Sequence, residues 1–198
     1  MGIGTGKSVV LSFDDGPEPV VALASILATL KTNSIVAEFF VLGSEVEKQP
    51  NRAASIVAGG HTIQNHSWSH PDLKKASETE VRDQLSKTQN AIQKATGKTA
   101  TLIRPPYGAG GWPPYDPELA KVAGELSLRI KNWDIDTNDW RTPRGIGAAK
   151  ITEIQKQFEK QSAKTNFNVL MHVQPETAKD LPGFIKQFKD WGFGFAKP

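Results

Sequence analysis

Val9-Val10-Leu11-Ser12-Phe13-Asp14-Asp15-Gly16-Pro17 is the stretch on which the reading of the whole chain turns. Val9–Phe13 reads as a buried strand, because a short apolar, β-branched run ends abruptly in polar and turn-forming residues. Two carboxylates then sit at the mouth of that strand, and Gly16-Pro17 turns the chain sharply. Neighbouring strand side chains point to opposite faces, so Asp14 and Asp15 cannot form an equivalent facing pair and should have different partners. On this segment alone, an acidic turn or a helix cap is an equal alternative.

Outward from there, strand and helix patterns alternate about seven times. Val20–Leu30 carries apolar residues at helical spacing. Phe39–Leu42 reads as the second strand and Glu45–Ala58 as a helix. His61–Gln64 is a third, shorter strand, and Glu78–Ala95 is a long amphipathic helix ended by Gly97. Thr101–Ile103 is the fourth strand, followed by a helix at Pro117–Glu125. Leu128–Trp133 is the fifth strand, followed by a helix at Lys150–Gln161. Phe167–Met171 is the sixth, followed by a helix from Ala178 to Asp190, and Phe193–Phe195 closes the chain. Such alternation predicts a parallel sheet with helical crossovers.

The choice between an open sheet and a barrel rests on where the reactive residues fall. Asp14 and Asp15 follow strand one, His66 and His70 strand three, Arg104 strand four and Asp136 strand five, while His172 ends strand six. Polar residues from the carboxyl ends of so many strands converge on one point only if the sheet closes or nearly closes. An open sheet would spread them along a crevice. The expectation is therefore an α/β fold, a distorted and incomplete (β/α) barrel of about seven parallel strands, in a single domain spanning residues 1–198.

The length of 198 residues suffices for one large core. Apolar and charged fractions are ordinary for a globular protein, and no apolar run is long enough to span a bilayer. The start of the chain lacks the apolar segment of a secretory signal. With no cysteine there is neither a disulfide framework nor thiol chemistry. The net charge of +3 is interspersed, which reads as a solvated surface and argues against a nucleic-acid partner.

Gly4-Thr5-Gly6-Lys7-Ser8 imitates the end of a phosphate-binding loop. It lacks the glycine that the motif requires at position 1, and its strand follows rather than precedes it, so it is set aside. His66-Ser67-Trp68-Ser69-His70 places two imidazoles at i and i+4, and one helical turn ending before Pro71 would put both on one face. Two histidines with the carboxylate of Asp15 form a donor set used by catalytic zinc or iron. In Arg104-Pro105-Pro106-Tyr107-Gly108 the prolines carry no N–H, so Tyr107 supplies the first free backbone donor after Arg104, which suits an oxyanion site as well as a plain rigid turn. Asp134-Ile135-Asp136-Thr137-Asn138-Asp139-Trp140 is acid-rich, and Leu170-Met171-His172 brings a histidine out of a buried strand. Of the four histidines, only His61 reads as structural.

These segments, in this order, resemble the five motifs of the polysaccharide deacetylases, the NodB-homology domain or carbohydrate esterase family four. The resemblance runs from about Lys7 to Phe195. It implies a metal-dependent hydrolase that removes N-acetyl groups from N-acetylglucosamine polymers, peptidoglycan or chitin and its oligosaccharides. It further implies one divalent ion, zinc first and cobalt or another transition metal otherwise, held by Asp15, His66 and His70. Asp14 would be the general base with Arg104 holding its carboxylate, the Tyr107 N–H would complete an oxyanion hole, and His172 would be the general acid tuned by Asp136. Trp140 and Leu170 would wall the acetyl pocket. Trp112, in the loop Gly108–Tyr115, is a candidate for stacking on sugar, as is Tyr115, with packing of a rigid surface loop an equal alternative. The implied partner is an acetylated polysaccharide, the implied state a monomer, and the implied location secreted, periplasmic or cell-wall-associated.

Three other readings compete. An O-deacetylase of acetylated xylan is a close variant within the family. A non-catalytic glycan-binding domain on the same scaffold would be free to lose Asp14, Asp15, His66, His70 and His172, all of which are present. A glycosidase would need two acids facing each other across a sugar at roughly 5–9 Å, which adjacent residues do not easily provide.

Overall fold

The computed structural model describes residues 2–198; Met1, where a phosphate loop would need its glycine, lies outside them. In chain order the elements are β1 (Ser8–Asp14), α1 (Val20–Thr32), β2 (Glu38–Val41), α2 (Gly43–Lys48), α3 (Pro50–Ala58), β3 (Thr62–Asn65), α4 (Glu78–Thr96), β4 (Leu102–Ile103), α5 (Pro117–Glu125), β5 (Arg129–Ile130), β6 (Ile135–Asp136), α6 (Ala148–Lys160), β7 (Asn166–His172), α7 (Pro175–Trp191) and β8 (Gly194–Phe195). Short 3₁₀ turns at Leu73–Lys75 and Pro106–Gly108 complete the set.

The chain divides into two compact units, neither a continuous stretch of sequence. The first takes the described residues up to Asp14, then Glu18–Glu38 and Trp133–Pro198; the second takes Asp15–Pro17 and Phe39–Asn132. In the first unit β1 is flanked by β7 and β8, and β6 lies on the far side of β7, all parallel. In the second unit the strand order is β5-β4-β3-β2, with β3, β4 and β5 paired in parallel.

The core of the first unit is aromatic. Phe158 of α6 meets Phe167 at 4.9 Å, Phe193 at 4.5 Å and Phe188 of α7 at 5.9 Å between ring centroids. A helix and a strand are joined through tilted and edge-on rings, the favoured geometry for aromatic pairs. The glycine-rich start packs here too: a Cβ on Gly4 would stand 2.4 Å from the Phe193 ring. Close packing explains that glycine without any phosphate.

The second unit is built around α4, which buries Val81, Leu85, Thr88 and Ile92 at helical spacing. Its ends are written in the sequence. Ser77 and Glu80 form a reciprocal capping box, and Gly97 closes the helix in the left-handed region at φ 67°.

Two expectations need correction. The single helix over Glu45–Ala58 is two, α2 and α3, broken at Gln49 (φ −134°, ψ 59°), because Pro50 bars its predecessor from helical geometry and starts the next helix itself. Strand five does not run over Leu128–Trp133. It shrinks to Arg129–Ile130 beside β4, and Asp136 belongs to a separate strand, β6, beside β7. Asp134 makes the change of partner, accepting the Asn168 N–H at 2.8 Å. Strands of two residues exist only through their partners, so periodicity could not separate them.

Replacing Phe158 by Ala should cost about 3–5 kcal/mol, since it opens a cavity among several rings. Removing the Ser77 cap (Ser77→Ala) should cost about 1 kcal/mol. Urea denaturation of both variants tests this, and equal losses would contradict the weight given to the aromatic core.

Candidate functional site

The second unit brings Asp15, His66 and His70 together, with one ligand atom from each within 4.8 Å of the others. Nε2 of His66 lies 3.4 Å from Asp15 Oδ1, and Nε2 of His70 lies 3.5 Å from the same oxygen. Two donors held about 2.0–2.2 Å from one tetrahedral ion stand about 3.3–3.6 Å apart, so these spacings fit a shared ion. The ring of His66 is oriented for it. Its Nδ1 stands 2.7 Å from the Arg104 carbonyl, which can only accept, so Nδ1 carries the proton and Nε2 is left as a ligand nitrogen. The ring of His70 rests edge-on between His66 at 5.1 Å and Tyr107 at 4.7 Å.

No helical turn presents the two histidines, contrary to expectation. His66–His70 is an irregular loop with Ser67 at φ 68° and His70 at φ 64°. Asp15 (φ 71°), Tyr107 (φ 60°) and Asn138 (φ 51°) share this left-handed backbone. Among the described residues, five of the seven with positive φ that are not glycine thus fall inside the five motifs. Such conformations cost on the order of 1–3 kcal/mol each and persist where surroundings over-determine them.

Arg104 is wholly buried. Its Nε donates to the Lys131 carbonyl at 3.3 Å, and its guanidinium lies 3.9 Å from the centre of the Phe40 ring. After it, Gly108 N–H bonds to the Pro105 carbonyl and Ala109 N–H to that of Pro106, fixing the turn that carries Tyr107. The Tyr107 side chain is exposed, as is Trp112.

In the first unit, the parallel register of β1 and β7 sets Asp14 beside His172 and Ser12 beside Leu170, at the carboxyl end of both strands. β6 sets Asp136 beside Leu170. Asp136 is therefore two residues short of His172, about 6.6 Å along a strand. The carboxylate that meets His172 is Asp139: its Oδ1 lies 2.7 Å from Nδ1, and its Oδ2 accepts the His172 N–H at 2.8 Å. A carboxylate accepts, so Nδ1 carries the proton and Nε2 is the working nitrogen. Thr177 Oγ1 also donates to Oδ2 of Asp139, and Gln174 Nε2 donates to its carbonyl.

Asp136 has a different setting. Burial pushes its carboxyl above the usual range, opposed by a hydrogen bond from the Asn138 N–H and by the charge of His172. Trp140 is half exposed with Arg141 4.9 Å from its ring centre, and Leu170 is buried. His61 packs against Phe39 at 5.5 Å, and burial lowers its pKa, as befits a structural residue.

Sequence reasoning assigned no role to Asp139, Thr177, Gln174, Asn65 or Gln84. Asp139 stood inside a quoted motif, and only strand register distinguishes it from Asp136. Thr177, Gln174 and Gln84 carry no local signal, because each acts on residues remote in sequence, Asp139 for the first two and Trp68 and Ser69 for the third.

The family model for polysaccharide deacetylases matches residues 2–130. Peptidoglycan-N-acetylglucosamine deacetylase PgdA of Listeria monocytogenes is 37% identical over 193 residues, covering 96% of this chain and 38% of that protein. Peptidoglycan-N-acetylmuramic acid deacetylase PdaC of Bacillus subtilis is 38% identical over 188 residues, 94% of this chain and 37% of that one. The chain thus spans under two-fifths of the length of these relatives. The solved structure of PdaC superposes with a TM-score of 0.77 at 33% identity, covering 96% of this chain and 86% of that one. A CE4 family pseudoenzyme from Bacillus anthracis gives a TM-score of 0.79 at 28% identity, over 96% and 63%. Its mutant with restored enzymatic activity gives 0.79 at 30%, over 96% and 65%. Likeness of this extent establishes the fold class expected from the sequence, an incomplete (β/α) barrel of parallel strands.

The raised carboxyl of Asp136 yields a signed prediction. A folded-state pKa above the unfolded one favours folding at low pH, and that contribution is lost as pH rises through the folded value. At neutral pH the charged Asp136 therefore costs stability. Asp136→Asn keeps the acceptor for Asn138 and should raise the melting temperature at pH 7. The gain should shrink as pH falls into the ordinary carboxylate range. Melting curves across pH check it, and a gain that grows on acidification would reverse the sign.

Proposed function

The chain belongs to the polysaccharide deacetylase family, and from that premise we propose that it hydrolyses N-acetyl groups from N-acetylglucosamine polymers, peptidoglycan or chitin-like chains, releasing acetate. The observation that carries the reading is the cluster of Asp15, His66 and His70. The names of PgdA and PdaC, deacetylases of peptidoglycan N-acetylglucosamine and N-acetylmuramic acid, favour the N-acetyl substrate over acetylated xylan. In this reading the chain is one catalytic domain that acts as a monomer on a cell-wall or extracellular polymer. Among the described residues no helix is long and apolar enough to cross a membrane.

An amide carbonyl is a poor electrophile, and an amine is a poor leaving group. Asp15, His66 and His70 would hold a divalent ion, zinc in this proposal, which would supply Lewis acidity at the carbonyl and acidify a water. Asp14, joined to Asp15 by one peptide bond, takes the proton from the attacking water as the water oxygen bonds to the carbonyl carbon. Arg104 is assigned to hold Asp14, since a nearby guanidinium favours a charged carboxylate. The Tyr107 N–H is assigned to the developing oxyanion. His172 gives the Nε2 proton to the nitrogen as the C–N bond breaks, leaving acetate and a free amine. The bond from its Nδ1 to Asp139 favours the imidazolium this needs. Asp136 is left as a through-space contributor. Trp140 and Leu170 are assigned to the acetyl methyl, and Trp112 to a sugar face.

The likeness to a pseudoenzyme favours a second reading, a domain that binds glycan without turnover. A pseudoenzyme and its reactivated mutant match this chain with the same TM-score of 0.79, so fold alone does not decide. The side chains favour turnover, because the residues assigned as base, acid and three ligands are all present.

The test is a substrate panel of peptidoglycan, chitooligosaccharides and acetylxylan, with and without chelator, scored for acetate and for free amine. Amine release from the first two, lost with chelator and restored by zinc, is expected. Asp14→Asn should lower turnover by at least about a hundredfold while zinc binding persists. A zinc-loaded chain that turns over no acetylated glycan would favour the binding domain, and acetate without amine the esterase.

A further inference from the structure

We propose that Gln84, on the middle of α4 and outside the five motifs, is a positioning residue for the metal site; the inference rests on the reading of Asp15, His66 and His70 as metal ligands. Both histidines end a five-residue loop that has no regular structure of its own. Two of its residues hold left-handed backbone, Ser67 and His70. Some outside group must keep the loop in that state.

Gln84 supplies more of that restraint than any other side chain described. Its Oε1 accepts the N–H of Trp68 at 2.8 Å and that of Ser69 at 2.9 Å. Its Nε2 donates to Ser69 Oγ at 3.0 Å. One amide therefore binds two consecutive residues between the ligands, using acceptor and donor together. The rest of the loop is tied by single bonds from separate groups. Asn65 Oδ1 accepts the Ser67 N–H at 2.9 Å, Ser67 Oγ accepts that of His70 at 3.1 Å, and the N–H groups of Gly43 and Ser44 reach the carbonyls of Ser67 and Trp68. Asn65 is itself fixed by donating to the Leu85 carbonyl at 3.0 Å, so positions 84 and 85 of one helix set the loop twice.

Gln84 is one layer further out than the ligands. His66 is oriented from its other side by the Arg104 carbonyl. His70 faces Asp15 Oδ1 at 3.5 Å through its Nε2, packs its ring against His66 and Tyr107, and gives its backbone N–H to Ser67 Oγ. Gln84 holds two residues that lie between the ligands, so the cost of losing it should appear as metal affinity, not as a change in chemistry at the bound substrate. Outer-layer partners of metal ligands typically contribute about 10–100-fold in affinity.

The experiment measures zinc dissociation constants by competition with a chromophoric chelator, alongside melting temperatures of the metal-free proteins. Gln84→Leu should weaken zinc about 10–100-fold while the metal-free melting temperature stays close to wild type. Gln84→Glu keeps both acceptor bonds and can accept from the Ser69 hydroxyl in place of the bond Nε2 donates, so it should bind zinc within about threefold of wild type. Should Gln84→Leu fail to fold, Ser69→Ala removes one of the three bonds at an exposed residue and should weaken zinc about fivefold, the worth of one hydrogen bond. Unchanged affinity in the variant that folds overturns the positioning role, as does equal loss in Gln84→Glu and Gln84→Leu. Wild type that binds no zinc overturns the metal-site reading as well, which separates the two failures.

Discussion

His66 presents Nε2 to its neighbours because Nδ1–H is already given to the backbone carbonyl of Arg104. That single bond fixes both the ring's orientation and its tautomer, and it ties the ligand to the end of β4. β4 lies beside β3 with Asn65 opposite Ile103, so the residue before His66 and the residue before Arg104 are paired across the sheet. The two prolines after Arg104 then hold the turn that carries Tyr107 against His70. Strand pairing, one carbonyl and a rigid turn thus convert sequence-distant side chains into a donor set. A shift of one residue in β3–β4 pairing would send the imidazole to the other face.

A comparable economy governs the first unit. β1 and β7 run parallel in full register over seven pairs, and the last pair is Asp14 with His172. The base and the acid of the proposed reaction need no loop to find each other's level. They stand at the ends of the longest strand pair described. Beneath them Ser12 bonds to the side chain of Asn168 at 2.8 Å, and Asn168 donates to the buried Glu38 at 3.3 Å. Polar groups inside a sheet demand partners, and here they have them.

Much of this was legible because it is local. The alternation of buried runs and amphipathic helices gave the fold class, and Gly97 marked the stop of α4. Asp15, His66 and His70 were recognisable as donors by residue type and spacing. What escaped reading depends on non-local pairing. β5 and β6 are two residues each and owe their existence to β4 and β7. The loop geometry of His66–His70 is imposed by Asn65, Gln84 and α2, not by its own five residues. The break at Gln49 is the exception, since Pro50 announces it and the continuous apolar pattern conceals it.

The replacement of Asp136 by Asp139 as the partner of His172 follows from the same distinction. Both acids lie in one short segment, and spacing alone cannot rank them. The sheet can: Asp136 is held within β6 opposite Leu170, with its backbone clamped on both sides by Gln157 of α6. Asn138 then turns through the left-handed region, and the chain reaches the level of His172 only at Asp139. There the carboxylate is wholly buried and receives the ring N–H, the His172 backbone N–H and the Thr177 hydroxyl. A buried acid with those donors can both orient the imidazole and favour its charge, whereas Asp136, pushed toward its neutral form by burial, acts only through space. Two carboxylates three residues apart therefore do different work, and it is hydrogen bonding, not proximity in sequence, that divides it between them.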